Sequence, residues 1–180
     1  PNLSTLPTVG VRVPNLPQTR AILAAAGGAL AVSSANRSDQ PPACTIQAAI
    51  DDAATVDGDT ITVSPGTYLE KVVINKPNLT IRSTGGAAST IIDVPDGTLT
   101  TGVSIVGTNL GVITFDGFTV KNFTESGIVQ GMASGTGTTV HVLNNIVIPR
   151  ADYMRNGIQV SGDNSTVIGN TVASAPLTAD

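Results

Sequence analysis

Three eight-residue segments late in the chain can be laid on one another position by position. Residues 113–120 read ITFDGFTV, 140–147 read VHVLNNIV, and 165–172 read STVIGNTV. Phe115, Val142 and Val167 coincide, as do Gly117, Asn144 and Gly169, and Val120, Val147 and Val172, at offsets of 27 and 25 residues. A second ladder aligns Val103–Ser104–Ile105 with Gly127–Ile128–Val129 and with the stretch from Gly157 to Val160. Short β-branched runs that recur at slightly irregular periods in the twenties, separated by Gly, Asn and Asp turns, are the mark of a β-solenoid. A sandwich has strands at similar density without recurring registers. Inward Val, Ile and Phe of one coil then stack on those of the next. Asn145 and Asn170 fall at equivalent sharp turns, where Asn tolerates left-handed backbone and can bond to neighbouring coils.

The earlier stretch, residues 45–94, fits the start of such a stack. It opens on a helical pattern, with Ile46, Ala49 and Ile50 on one face and Asp51 and Asp52 on the other, ended by Asp57–Gly58–Asp59. Four β-branched runs follow: Ile61–Thr62–Val63, Val72–Val73–Ile74, Leu79–Thr80–Ile81 and Thr90–Ile91–Ile92. Turn signals at Ser64–Pro65–Gly66, Lys76–Pro77–Asn78 and Gly85–Gly86 bound them. These patterns predict about five coils between Asp59 and Val172, with a cap helix over the first.

Residues 44–173 resemble the right-handed parallel β-helix superfamily, often called pectin-lyase-like. The resemblance is carried by TIQAAIDDA, GDTITVSPGTYLEKVVI, LTIRSTG followed by TIIDV, and the serial FDGFTV, LNNIVI and IGNTV motifs. It implies an all-β fold, a right-handed parallel β-helix with an N-terminal cap helix, and it leaves the N-terminal extension unmatched. It does not select a function, because the superfamily includes lyases, hydrolases, esterases, tailspikes and non-catalytic surface proteins. It also puts Asp93 at a common turn position, where its carboxylate is expected to bond backbone amides.

Residues 1–43 are unlike the rest and read as an arm, with 44–180 as the β-helix domain. Val9, Val11 and Val13 alternate like a strand with one apolar face, and residues 18–32 have a helical pattern weakened by Gly27–Gly28. Residues 20–35, RAILAAAGGALAVSSA, imitate a secretory h-region but follow nineteen other residues, so a cleaved signal is not expected there. Their run of about a dozen apolar residues is too short to span a bilayer. The start at Pro1 without Met suggests a processed chain or one whose true start lies upstream. The arm has apolar surface and too few residues for its own core, so it must dock on its own domain or on a neighbour.

Charged residues are only 12% of the chain, against about a quarter in typical soluble domains, and the net charge is −4. That balance argues against a nucleic-acid partner. It fits a protein that hides surface in an assembly or carries sugar. Five Asn-x-Ser/Thr sequons, at Asn2, Asn36, Asn78, Asn122 and Asn164, point the same way, although an Asn- and Thr-rich solenoid also makes sequons by accident. The one cysteine, Cys44, cannot form an internal disulfide and is read as a small residue packed under the cap helix.

Catalysis in this superfamily implies acids clustered on outward positions of adjacent coils. Asp116 is outward, but its stacked equivalents are Leu143 and Ile168. The residues best placed to converge are Lys121, Glu125, Arg150, Asp152, Tyr153 and Arg155; of these Lys121, Arg150, Asp152 and Arg155 are the catalytic candidates, weighed against a solvated rim of turn residues. His141, the only histidine, is read as an outward strand residue. There is no phosphate loop, and no metal site or cofactor is expected. With no Trp, two Tyr and three Phe, platforms for sugar rings are scarce.

The leading expectation is therefore an extracellular or cell-surface structural protein that polymerises head to tail with copies of itself, with glycans as further partners. The last coil has no helix after it, so Val167, Ile168 and Val172 would be exposed. The arm of a neighbour, through Val9, Val11, Val13, Ile22, Leu23, Leu30 and Val32, would cover them by strand addition. The alternatives are a polysaccharide lyase or esterase and a glycan-binding or adhesion module.

Overall fold

The computed structural model describes residues 43–131, 137–150 and 155–173. The chain divides into two units, Pro1–Pro42 and Ala43–Asp180, and every described residue lies in the second. The residues proposed for the arm, from Val9 to Val32, lie outside the described residues, as do Asn2 and Asn36.

The second unit is a parallel β-helix. A six-residue helix, α1 (Ile46–Asp51), precedes a first coil of β1 (Thr60–Val63), β2 (Gly66–Leu69) and β3 (Val72–Ile74). The second coil is β4 (Thr80–Ser83), β5 (Thr90–Asp93) and β6 (Thr101–Ile105). The third is β7 (Gly111–Asp116), β8 (Thr119–Phe123) and β9 (Ser126–Gln130). The fourth is β10 (Thr138–Leu143), β11 (Ile146–Pro149) and β12 (Asn156–Gln159), and β13 (Thr166–Ile168) with β14 (Thr171–Val172) begin a fifth. Every pairing is parallel, and three sheets run along the stack in the orders β1-β4-β7-β10-β13, β2-β5-β8-β11-β14 and β3-β6-β9-β12. The expected fold class is what the chain adopts, with four complete coils and two strands of another in place of about five.

The first set of aligned motifs gives the real registers. Val142 pairs with Phe115 on one side and Val167 on the other, and Val147 pairs with Val120 and Val172. The second ladder is corrected by one residue at its first rung: Ile128 pairs with Ile158 as aligned, but with Val103 and not Ser104, because Gly127 falls beside Gly102 in the stack. Pointing inward, these residues make one continuous core in which Ile81, Phe115, Val142, Ile92, Val120 and Val147 are all fully buried. Each such side chain contributes about 1.5–3 kcal/mol by leaving water. Phe115 and Phe118 stack with ring centroids 4.5 Å apart, and Phe123 is buried too, so none of the three offers a ring to a sugar.

The turns explain the Gly and Asn periodicity. Gly117, Asn144 and Gly169, aligned in the sequence, all have left-handed backbone, at φ 83°, 53° and 70°. Only Gly, and Asn at lower cost than other residues, adopts that region readily. Next to Asn144, the side chain of Asn145 is fully buried and joins three coils. Its Oδ1 accepts from Phe118 N at 2.8 Å, and its Nδ2 donates to Phe115 O at 3.1 Å and to Asn170 Oδ1 at 3.0 Å.

Three local expectations are corrected. Gly66 does not close a turn: it opens β2, which pairs with β5 from Gly66↔Thr90 onward. The helix stops at Asp51, well before Asp57–Gly58–Asp59, because Asp52 leaves helical geometry at ψ 132°. Cys44 is exposed ahead of α1 and is not packed beneath it.

Candidate functional site

The two ends of the stack differ, and the difference comes from particular side chains. A six-residue helix is too short to hold itself together in water. Here the first coil holds it. Glu70, just after β2, accepts from Ile46 N at 2.8 Å and Gln47 N at 2.9 Å, while Thr45 Oγ1 accepts from Ala48 N at 3.0 Å. At the other end Lys76 Nζ donates to Asp52 O at 2.6 Å and Thr55 O at 3.0 Å. An acid at the helix start and a cation at its end both suit the helix dipole. Ile46 and Ile50 fill the end of the core. The edge of β3 is met by Gln47, whose Oε1 accepts from Val73 N at 2.6 Å and whose Nε2 donates to Val73 O at 3.3 Å.

On the last described coil the inner ladders are half-exposed. Val167 is 46% exposed and Val172 47%, although Val142 and Val147, in register above them, are completely buried. Ile168 is 61% exposed. These three residues of the expected assembly surface therefore form an apolar rim on the last described coil.

The charged residues singled out for catalysis lie at the corner that follows the β5–β8–β11 sheet. Asp93 is in register with Lys121, which in turn pairs with Ile148. Lys121 Nζ lies 2.9 Å from Asp93 Oδ2, and Asn122 Nδ2 donates to Asp93 Oδ1 at 2.6 Å. The expectation that Asp93 bonds backbone amides is thus corrected: two side chains from the next coil hold it, because strand register carries them underneath. Arg150 pairs with Asp96 at 2.6 Å, and Arg155 with Glu125 at 3.4 Å. Lys121, Arg150 and Arg155 are each matched to an acid of another coil. Asp152 and Tyr153 lie outside the described residues.

The remaining candidates are separate. Asp116 accepts from Asn144 Nδ2 at 2.9 Å, and His141 Nδ1 lies 2.8 Å from Thr166 Oγ1; both belong to the β1–β4–β7–β10–β13 sheet. No group of three His, Cys, Asp or Glu able to hold a metal occurs among the described residues. A concavity of about 410 Å³ under α1 is lined by residues including Cys44, Thr45, Ile61, Val63 and Tyr68, and none of the charged corner reaches it. Chemically, the corner is a set of staples between coils.

Sequence reasoning missed Gln47, Glu70 and Lys76 as cap residues and Asp96 as the partner of Arg150. It also missed a column of glycines, Gly102, Gly127 and Gly157, under the valines of the adjacent sheet. The aligned Gly127 and Gly157 were the available signal for that column.

Comparison with known proteins gives two matches of different reach. The chain is 32% identical over 108 residues to a cell surface glycoprotein of Methanothermus fervidus, a match that takes in 60% of this chain and 17% of that protein. The chain thus spans about a sixth of the relative's length. No solved structure matches significantly. The model of the Sua5_yciO_yrdC family, described as telomere recombination, matches residues 2–101, which include 2–42 and the β-helix from its cap helix to the first residue of β6. Because that match takes in more than half of the 180 residues, the chain belongs to the Sua5/YciO/YrdC family.

Proposed function

We propose that the β-helix unit is a structural module of an extracellular or cell-surface protein, and that it joins copies of itself end to end through its last described coil. The observation that carries this reading is the contrast within single core ladders among the described residues: Val142 and Val147, with a coil described on either side, are fully buried, and Val167 and Val172, on the last described coil, are half-exposed. An exposed strand edge with apolar side chains beside it is a template for another chain. The opposite end is closed by α1, so contact between unlike ends propagates in one direction, as heterologous contacts do. The occupant is the arm of a neighbouring copy, whose Val9, Val11 and Val13 alternate as an added strand requires.

The likeness to a cell surface glycoprotein supports the location. Among the described residues no helix is long and apolar enough to cross a membrane. The resemblance to pectin-lyase-like proteins is part of the same proposal and concerns ancestry of the fold. The paired charges at the corner favour a structural role over polysaccharide chemistry. The family match ends at residue 101 and leaves the third and later coils outside it.

Sedimentation velocity and electron microscopy of the full chain test the reading. The expected result is concentration-dependent linear polymers that Ile168→Lys with Val172→Asp abolishes while the circular dichroism of the coil persists. A wild-type chain that stays monomeric at its solubility limit overturns it.

A further inference from the structure

Three of the five sequons fall among the described residues, at Asn78, Asn122 and Asn164. All three asparagines have left-handed backbone, at φ 51°, 66° and 59°, so local geometry does not distinguish them. Their side-chain amides do.

Asn78 bridges coils on both sides. Its Nδ2 donates to Asp57 Oδ1 at 2.7 Å, and its Oδ1 accepts from Val112 N at 2.8 Å. It also lies so close to Gly111 that a Cβ there would collide with Oδ1. Asn122 donates its Nδ2 to Asp93 Oδ1 at 2.6 Å, inside the ion pair with Lys121. Replacing an Nδ2 hydrogen by a sugar at either place puts a bulky ring where a neighbouring coil and a carboxylate already sit. Asn164 is exposed, and its side chain makes no hydrogen bond to the described residues. It occupies the third position of a turn closed by Ser165 N donating to Gly162 O at 3.3 Å. The fold needs its backbone shape and leaves its amide to solvent.

We propose that Asn164 is a glycan acceptor and that Asn78 and Asn122 are structural asparagines that stay unmodified. Thr166 supplies the sequon hydroxyl, which in the folded strand lies 2.8 Å from His141 Nδ1, so Asn164 differs from the other two at the amide alone. The modification forms a bond from Asn164 Nδ2 to the anomeric carbon of a glycan activated as a lipid-linked phosphate ester. The bond from that carbon to the phosphate oxygen breaks, the lipid phosphate leaves with the electron pair, and one amide proton passes to solvent. The proposal rests on the surface reading, because such donors serve proteins delivered to the cell exterior.

Peptide mapping by mass spectrometry of the chain purified from its own cells tests it, alongside labelling of intact cells with a membrane-impermeant amine reagent. Trypsin cutting at Arg82, Lys121, Arg150 and Arg155 puts the three sequons in different peptides. The expected result is a glycan mass on the peptide that begins at Asn156, lost in Asn164→Gln, with the peptides of Asn78 and Asn122 bare. A bare Asn164 in a chain that is labelled on intact cells overturns the proposal and leaves the surface reading standing. Glycan on Asn78 or Asn122 at the level of Asn164 overturns it as well. A chain that is neither labelled nor glycosylated overturns both.

Discussion

The carboxamide of Gln47 meets the backbone of Val73 through both of that residue's peptide groups, as a neighbouring strand would. It accepts from Val73 N at 2.6 Å and donates to Val73 O at 3.3 Å. One side chain from a short helix thereby occupies part of the edge of β3, and the stack is blunted at this end. Gln47→Ala should lower stability by about 1 kcal/mol, the net worth of an ordinary hydrogen-bonded pair. In a domain of this size that is a fall of about 3–5 °C in the melting midpoint, readable by calorimetry. The variant should also associate more readily, because the freed edge becomes a second template.

A buried polar residue gives a larger effect. Asn145 is fully buried and serves Phe118 N, Phe115 O and Asn170 Oδ1. Asn145→Ala strands the first two inside the core and should cost about 2–4 kcal/mol in urea unfolding. Asn170→Ala should cost less, since Asn170 is itself only half-buried on the last described coil, although it too serves Asn145 N and Val142 O. Equal losses at the two positions would contradict the solvent gradient along the stack.

Much of this was legible because the core repeats. Phe115, Val142 and Val167 announce their register at offsets of 27 and 25 residues. The first coils hide theirs: Ile61 pairs with Ile81 after 20 residues and Ile81 with Phe115 after 34, so no single period aligns them. Strand β2 was masked by the turn signal at Pro65–Gly66, which tertiary pairing with β5 overrides. The cap contacts were not legible at all. Glu70 and Ile46 are 24 residues apart and Gln47 and Val73 are 26 apart, and only the closure of the coil makes them neighbours. Lys121, Arg150 and Arg155 could be picked out in the sequence as charged residues in or beside turns. Their pairing could not, because Asp93 and Asp96 come from an earlier coil.

The glycine column offers a graded test. A Cβ on Gly127 would collide with Val147 Cγ1 and lie 2.6 Å from Gly157 O, both in packed coils. A Cβ on Gly157 would instead lie 2.6 Å from Cγ1 of Val172, a half-exposed side chain free to turn away. Gly127→Ala should cost about 2–3 kcal/mol, in the range of overpacked cores, and Gly157→Ala about 1 kcal/mol. Chemical denaturation of the two variants checks the order, and crystallography of Gly157→Ala should show a rotated Val172.

The ion pairs at the corner should matter little, and that outcome separates staples from a working site. Arg150 and Asp96 are 42% and 83% exposed, so their attraction at 2.6 Å is screened by water and offset by the entropy of fixing a long side chain. Arg150→Ala and Arg155→Ala should each shift unfolding by about 0.5 kcal/mol or less. Lys121→Met should cost more, about 1 kcal/mol, because Asp93 is only 20% exposed and Asn122 is oriented by the same carboxylate. Raising salt to about 1 M, where the Debye length is about 3 Å, should shrink the effects of Arg150→Ala and Arg155→Ala toward zero and that of Lys121→Met much less. If Arg150→Ala instead raised stability measurably, the arginine would be held at a cost to the fold. Strain of that kind marks a binding or catalytic group, and the staple reading of the corner would then give way to the polysaccharide one.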